Sequence, residues 1–235
     1  MFDFRLEKNE GCFPHPETVL KNGILAVGGK LSPQRLLVAY QFGIFPWYNE
    51  YDPVVWWCPQ PRYVIFPDKV RVAKSMNSYF NQQKYRVTYN EFFEDVLRQC
   101  RTIHRPLQNG TWINDDIAEN YAALHSMGYA VSVEVWDDAG LAGGLYGIQI
   151  GRVFFGESMF SLRPNASKFG FITLARKLHE EGFYLIDCQL HNSHLESLGG
   201  EFIPGREFHS ILRRNRMEWL AAADADTPDL SGTGR

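Results

Sequence analysis

The sequence predicts an α+β fold, with a small N-terminal domain before a larger domain built on a mixed sheet. Four prolines between residues 46 and 61 exclude a regular helix or a central strand from that stretch. After it, three strand-like runs are followed by a helix, a strand and a helix. We place the domain junction near Pro61, which divides the chain into domains over 1–61 and 62–220 and a flexible tail over 221–235.

The first predicted helix covers residues 34–42 and has signals at both ends. Ser32 suits the N-cap, Pro33 suits the first helical position, and Gly43 is a natural stop. Apolar residues between these ends recur at helical spacing. The N-terminal domain is therefore expected to carry one helix before its proline-rich and tryptophan-rich segment.

The larger domain is predicted to contain four helices and four strands. The helices are expected over 91–100, 116–127, 167–181 and 208–219, with Asn90 and Asp115 as N-caps of the first two. The strands are expected over 130–136, 141–150, 152–160 and 184–190, where residues alternate or run apolar. Three of these strands are consecutive, and the fourth follows a helix, so the sheet is expected to be mixed.

Composition excludes several classes of protein. The chain has 235 residues and is 45% apolar, with 17 Phe, 11 Tyr and 6 Trp, which supports a core and excludes disorder. Its 24 basic and 27 acidic residues give a net charge of −3, so it is not a globally basic nucleic-acid-binding protein. The four cysteines form no CxxC pair, and residues 1–10 lack an apolar signal segment. We expect a cytoplasmic protein with no membrane span.

Charge is distributed unevenly along the chain. Residues 62–105 hold nine basic and four acidic residues, a net of +5, whereas residues 106–161 hold one basic and seven acidic residues, a net of −6. One interpretation is a set of solvated faces of alternating sign. The other pairs a polyanion-binding face with an acidic mouth for a cationic substrate.

Two motifs are considered and rejected as cofactor sites. Gly28, Gly29 and Lys30 lack the spacing of a phosphate-binding loop. His191 and His194 have no carboxylate or thiolate at metal-ligand spacing. We therefore expect no metal and no cofactor.

Two predicted strands carry polar residues within apolar runs. Side-chain alternation places Asp187 and Gln189 on one face of their strand, and aligns Phe155, Glu157 and Met159 on another. Buried polar groups must be paired, so a satisfied core network explains each strand taken alone. Two such strands near the middle of one sheet favour a shared cleft.

A larger set of motifs occurs in order along the chain: Gly28-Gly29, Leu31-Ser32-Pro33, Gly43-Ile44-Phe45-Pro46-Trp47, Trp56-Trp57, Gly110-Thr111-Trp112-Ile113, Gly156-Glu157-Ser158-Met159-Phe160-Ser161, Ala166-Ser167-Lys168 and Leu185-Ile186-Asp187-Cys188-Gln189. With these motifs the chain resembles the bacterial leucyl/phenylalanyl-tRNA–protein transferases from about residue 24 to 210. The resemblance implies an N-acetyltransferase-like (GNAT-like) larger domain. It also implies transfer of Leu or Phe, with Met as a third donor, from aminoacyl-tRNA to proteins beginning with Arg or Lys, which marks them for N-end rule degradation.

The resemblance also implies roles for individual residues. Asp187 and Gln189 are expected to be catalytic. The expected substrate-binding residues are Trp47, Trp112, Leu145, Phe155, Gly156, Glu157, Ser158 and Met159. Within this set, the two tryptophans are associated with the aminoacyl-adenosine and Met159 with the amino-acid side chain. Lys74, Lys84 and Arg86 are expected to contact the tRNA backbone, because the segment around them is basic.

The implied chemistry needs no ATP, because an aminoacyl ester is already activated. The enzyme must orient the ester and the amine, accept a proton and stabilise the oxyanion. An amide is too weak a base, so Gln189 is expected to position the amine. Asp187 is expected either to accept the proton or to orient Gln189.

Two other functions compete with this one. A CoA-dependent N-acetyltransferase shares the expected fold, but it would hold the pyrophosphate on a glycine-rich turn before a helix, and residues 161–167 contain no glycine. A non-catalytic RNA-binding or carbohydrate-binding module would use the tryptophan clusters. It leaves Asp187, Gln189 and Glu157 without a role.

Overall fold

The structure is a computed structural model that describes residues 5–6, 12–103 and 111–225. Gly110 of one motif, the tail beyond residue 225 and most of the first eleven residues lie outside the described residues. The described chain is α+β, with a small N-terminal sheet and a larger mixed sheet, as the sequence predicts.

The N-terminal sheet has four strands in the order β1-β2-β4-β3. Its strands are β1 (Arg5–Leu6), β2 (Ile24–Gly28), β3 (Phe45–Pro46) and β4 (Val55–Trp57). Helix α1 (Pro33–Gln41) begins where expected, because the Ser32 side chain accepts a hydrogen bond from the Arg35 N–H. Pro46 lies on the edge strand β3, where its missing N–H costs no ladder hydrogen bond.

The larger sheet has seven strands in the order β11-β5-β10-β9-β8-β7-β6. They are β5 (Arg62–Ile65), β6 (Arg86–Tyr89), β7 (Ala130–Asp137), β8 (Gly140–Ile150), β9 (Val153–Ser161), β10 (Leu185–Gln189) and β11 (Glu201–Ile203). The β9–β10 pair is parallel and the other pairs are antiparallel, so the sheet is mixed.

Helices cover both faces of the larger sheet. They are α2 (Lys74–Asn81), α3 (Phe93–Thr102), α4 (Asp115–Ser126), α5 (Ala166–Glu180), α6 (Ser193–Ser197) and α7 (Gly205–Ala225). Helices α1, α3, α4 and α7 pack with the N-terminal sheet in one apolar cluster, and α2 and α5 pack in a second cluster. The N-terminal part of the chain is therefore continuous with the core on one face of the larger sheet.

Several details differ from the sequence-based expectations. Asn90 does not cap α3: its backbone is left-handed, with φ of 60°, and its Oδ1 accepts the Ser132 N–H at 2.9 Å. Helix α4 is capped by Asn114 instead of Asp115. In and around the larger sheet, β5, β6, β11, α2 and α6 were not predicted from the sequence, because each is short. Helix α7 continues to Ala225, so residues 221–225 of the expected tail are helical. The division into domains at residue 61 stays a prediction.

Two irregularities in the central strands position the site. The β8–β9 register shifts between Tyr146, which pairs with Ser158, and Gly147, which pairs with Gly156. Glu157 is therefore an extra residue on β9, a β-bulge. The β10–β5 register shifts between Asp187 and Gln189. The β9–β10 ladder covers residues 153–155 and 185–187. The segments that follow this ladder line a cavity. Ligands commonly bind where neighbouring strands separate at their carboxyl ends.

Candidate active site

The cavity has a volume of about 1290 Å³ and lies between the N-terminal sheet and the carboxyl ends of β9 and β10. One wall is aromatic and includes Trp47, Trp57 and Trp112. The Trp47 and Trp57 rings are 5.4 Å apart, and the Trp57 indole N–H donates to the Trp47 carbonyl at 2.7 Å. Trp47 is 41% exposed, so its ring is available to a ligand.

A second wall of the cavity is apolar. It includes Leu145, Phe154, Met159, Phe171 and Ile186. Met159 is opposite Leu145 in the β8–β9 ladder and packs against the apolar cluster that contains helix α5. This wall can take an uncharged, branched or aromatic side chain, and the flexible methionine lets it adapt to either shape.

Glu157 presents its half-buried carboxyl group to the cavity. Oε1 accepts hydrogen bonds from the Tyr40 hydroxyl at 2.7 Å and from the Gln189 side-chain amide at 3.3 Å. Oε2 accepts one from the Tyr121 hydroxyl at 3.1 Å. Burial raises the pKa of Glu157 to about 7, although the two tyrosine hydrogen bonds act to lower it.

Asp187 lies behind this carboxyl group and does not reach the cavity. Both of its oxygens accept hydrogen bonds of 2.7 Å from the Arg62 guanidinium, and the two side chains are 0% and 1% exposed. The guanidinium is itself held between the rings of Phe45 and Phe208, at 5.0 and 4.7 Å. Asp187 therefore has no oxygen free for a substrate.

Gln189 connects Asp187 to Glu157. Its backbone N–H donates to Asp187 Oδ1 at 3.0 Å, and its φ of 58° is left-handed. Its side-chain N–H₂ points to Glu157, because a carboxylate can only accept, and the amide oxygen remains for another donor. Of the two roles expected for Asp187, the geometry favours orientation of Gln189.

Most of the expected substrate-binding residues meet at the cavity. Trp47, Trp112, Leu145, Gly156, Glu157, Ser158 and Met159 line it, together with Gln189. Phe155 does not line it. Its side chain is 1% exposed and packs on the Tyr40 ring at 5.1 Å. The expected alignment of Phe155 with Met159 is wrong, because the extra residue at Glu157 reverses the alternation of faces.

The three expected tRNA contacts lie elsewhere on the molecule. Lys74 begins α2, Lys84 follows this helix, and Arg86 begins β6 at the edge of the larger sheet. All three side chains are exposed, and none lines the cavity. Their contact with tRNA stays a prediction.

The acidic segment 106–161 does not form an acidic mouth. Of its seven carboxyl groups only that of Glu157 lines the cavity. Glu134 is 0% exposed and accepts hydrogen bonds from Ser132 and Thr88 at 2.5 and 2.6 Å. A second carboxyl group at the cavity, Asp52, comes from the N-terminal part of the chain.

Several residues of the site were not identified from the sequence, among them Arg62, Tyr40, Tyr121 and Trp57. Tyr40 and Tyr121 lie at helical positions that the apolar pattern assigns to the core. Arg62 had been counted among the surface charges of the basic segment. Only Trp57 had a usable signal, because it lies in the tryptophan-rich segment.

Within the described residues, no group of three or more His, Cys, Asp or Glu side chains could hold a metal ion. In the same residues, no helix is both long enough and apolar enough to cross a membrane. The cysteines at 12, 58, 100 and 188 are free, and the last three are buried.

The α+β fold holds a cavity lined by an aromatic wall and an apolar wall, and a hydrogen-bonded carboxyl group and an amide face this cavity. This arrangement is that of an enzyme active site. The chain belongs to the leucyl/phenylalanyl-tRNA protein transferase family. The family model with the description "Leucyl/phenylalanyl-tRNA protein transferase" matches residues 64–213, and a model of the N-terminal domain of the same family matches residues 29–60.

Several curated relatives carry the name leucyl/phenylalanyl-tRNA–protein transferase. The one from Christiangramia forsetii is 54% identical over 202 residues, which cover 85% of this chain and 95% of the relative. The one from Myxococcus xanthus is 47% identical over 226 residues, which cover 94% of this chain and 97% of the relative. Among solved structures, L-PGS from Bacillus licheniformis is similar over 80% of this chain and 58% of that one, with 12% identity and a TM-score of 0.39.

Proposed function

We propose that this protein transfers Leu or Phe from aminoacyl-tRNA to the N-terminal amine of proteins that begin with Arg or Lys. The observation that carries the proposal is the cavity, in which Glu157 and Gln189 lie between an aromatic wall and an apolar wall. Its volume of about 1290 Å³ exceeds the ~300–1,000 Å³ of an ordinary small-molecule site, and this leaves room for a donor and an acceptor together.

The two walls fit the two ends of an aminoacyl-adenosine. The adenine can stack on Trp47 or Trp112, an interaction worth roughly 1–3 kcal/mol per base. The Leu or Phe side chain then enters the wall formed by Leu145, Phe154 and Met159. Met is a third donor that this wall can accept, because its side chain is flexible and uncharged.

The two carboxyl groups at the cavity favour a cationic acceptor. They are those of Glu157 on β9 and of Asp52 in the N-terminal part of the chain. A protein that begins with Arg or Lys brings a positive side chain beside its amine, and opposite charge attracts it to the site. These acceptors, once modified, would enter N-end rule degradation in the cytoplasm.

Gln189 and Asp187 prepare the site for this reaction. The Gln189 amide oxygen is directed to accept a hydrogen bond from the incoming amine, because its N–H₂ is used by Glu157. Asp187 holds the backbone of Gln189 in its left-handed conformation. The larger part of the chain would then act as a GNAT-like domain, in which the parting of β9 and β10 opens the site.

A transfer assay tests this function. The protein is incubated with tRNA that carries radiolabelled Leu, Phe or Met and with peptides that begin with Arg, Lys, Asp or Ala. We expect label from Leu, Phe and Met in the Arg and Lys peptides and none in the Asp and Ala peptides. Acetyl-CoA is expected to give no acetylation of the same peptides, which distinguishes this function from that of an N-acetyltransferase. Absence of label from every peptide would contradict the proposal.

A further inference from the structure

Two buried tyrosines from different parts of the chain hold the carboxyl group of Glu157. Tyr40 comes from α1 and is 1% exposed, and Tyr121 comes from α4 and is 0% exposed. Each hydroxyl donates to a different oxygen of the carboxyl group, at 2.7 and 3.1 Å. The two hydroxyl groups also contact each other. The three groups therefore form a closed triangle of hydrogen-bonding oxygens.

This triangle can satisfy the carboxyl group with or without its proton. When Glu157 is ionised, the Tyr40 and Tyr121 hydroxyls each donate to one of its oxygens. When Glu157 is protonated, it can donate to Tyr40, which donates to Tyr121, which donates back to the carboxyl group. The two states differ in the orientation of the hydroxyl protons, and each buried hydroxyl has an acceptor in both of them.

We propose that Glu157 is the proton acceptor of the transfer reaction, and that Tyr40 and Tyr121 are positioning residues that hold its carboxyl group in both protonation states. This inference rests on the proposed function and deepens it. Glu157 is suited to the role because its carboxyl group faces the cavity and the amide of Gln189. Asp187 is not suited, because Arg62 occupies both of its oxygens.

The reaction balances through this one group. The neutral N-terminal amine attacks the ester carbonyl, and a bond forms between the amine nitrogen and the carbonyl carbon. As that bond forms, the nitrogen gives a proton to Glu157. As the bond between the carbonyl carbon and the ribose oxygen breaks, Glu157 returns the proton to the ribose oxygen. The products are an amide and a tRNA with a free terminal hydroxyl, and Glu157 is ionised again.

Glu157, and not Tyr40 or Tyr121, is the member of the triangle that titrates near neutral pH. Burial is the largest influence on the pKa of Glu157 and raises it, the charge of Asp187 raises it further, and the tyrosine hydrogen bonds and the Arg62 charge lower it, for a value of about 7. Burial raises the pKa of both tyrosines well above their usual value, so their hydroxyls keep their protons. The titratable or charged groups facing Glu157 are Tyr40 on α1, Tyr121 on α4, Arg62 on β5 and Asp187 on β10.

The pH dependence of single-turnover transfer to an Arg-peptide tests the inference. Glu157 must be ionised to accept a proton, so transfer falls as pH drops through its pKa. Tyr40→Phe or Tyr121→Phe removes a donor that favours the ionised form, so the pKa rises and the acid side of the profile moves to higher pH. We expect a shift of about one pH unit and, because the wild-type carboxyl group is already about half protonated at pH 7, a rate at pH 7 that is lower by roughly fivefold. Glu157→Gln is expected to lower the rate by roughly 10²–10⁴-fold.

The matched control is Tyr63→Phe. It also removes a hydroxyl that is buried, and that hydroxyl has no hydrogen-bond partner in the described part of the chain. Its pH profile is expected to match that of the wild type, and the peptide amine contributes equally to every profile. Two outcomes would overturn this inference alone, provided that the wild-type protein transfers normally. One is that both tyrosine variants have the same pH profile as the wild type, and the other is that Glu157→Gln transfers at the wild-type rate. Wild-type protein that transfers nothing would overturn the proposed function.

Discussion

Arg62 and Asp187 are 125 positions apart in the chain and share two hydrogen bonds of 2.7 Å. Burying two charges is costly, and their attraction compensates only when the geometry is good and the other lone pairs are used. Here the pair is bidentate and Asp187 also accepts the N–H of Gln189, whereas Arg62 Nη1 is buried without a hydrogen-bond partner among the described residues. At the residue scale, the pair therefore has both a structural role and a role in shaping the site.

Two variants separate these roles. Arg62→Met leaves Asp187 buried without a cation, and we expect the free energy of unfolding to fall by about 3–5 kcal/mol. The double variant Arg62→Met with Asp187→Leu replaces the pair by apolar side chains. We expect it to recover a free energy of unfolding within about 2 kcal/mol of the wild type. Urea unfolding measures both.

Transfer activity is expected to respond differently from stability. The double variant removes the acceptor of the Gln189 N–H, so Gln189 loses its fixed conformation and transfer stays low. A double variant that is stable and transfers at the wild-type rate would show that Asp187 has no positioning role.

At the element scale, the site depends on where the ends of helices and strands meet. Gly43 follows α1 with φ of 73°, and a Cβ atom there would lie 2.4 Å from Cε1 of Phe208 on α7. Phe208 in turn covers the Arg62 guanidinium. The contact between the end of α1 and helix α7 therefore supports the buried ion pair from the side away from the cavity.

Gly43→Ala tests this contact. We expect it to lower the free energy of unfolding by about 1–3 kcal/mol for the left-handed backbone and further for the collision with Phe208. Gly128→Ala is the matched control, because Gly128 has φ of 83° and no atom within 4 Å of a Cβ there. Thermal unfolding and transfer rates compare the two. Equal losses in both variants would mean that the Phe208 contact contributes nothing.

At the scale of the whole molecule, the predicted tRNA contacts are separate from the cavity. Lys84 and Arg86 lie at the β6 edge of the larger sheet and Lys74 begins α2, whereas Trp47 and Trp57 of the aromatic wall lie in the N-terminal part of the chain. A tRNA is long enough to contact both places, so affinity and chemistry can be measured apart. Phosphate contacts release counterions, which makes binding depend on salt.

Replacing these three cations by Gln is expected to weaken binding of aminoacyl-tRNA and to reduce the slope of log affinity against log salt by roughly two. Transfer from a short aminoacyl-adenosine donor is expected to stay unchanged, because it does not reach β6. The control replaces the exposed Lys21, Arg206 and Arg213 by Gln. Equal slopes for the wild type and the first variant would remove this edge from the tRNA-binding surface.

The sequence by itself determined the α+β class, the five helices α1, α3, α4, α5 and α7, the four strands β7 to β10 and the family. Local periodicity, turn residues and motifs carry this information, because each is written in neighbouring positions. The same motifs also contain about half of the residues that line the cavity, from Phe45 to Gln189.

Only the tertiary structure decided what each side chain does there. The extra residue at Glu157 reverses the side-chain alternation, so Phe155 lies in the core and Met159 reaches the cavity. Arg62 neutralises Asp187, and Tyr40 and Tyr121 converge on Glu157 from two helices. These contacts join residues that are 36 to 125 positions apart, and no local pattern encodes such distances. Packing of the two sheets and their helices around one cavity determines them.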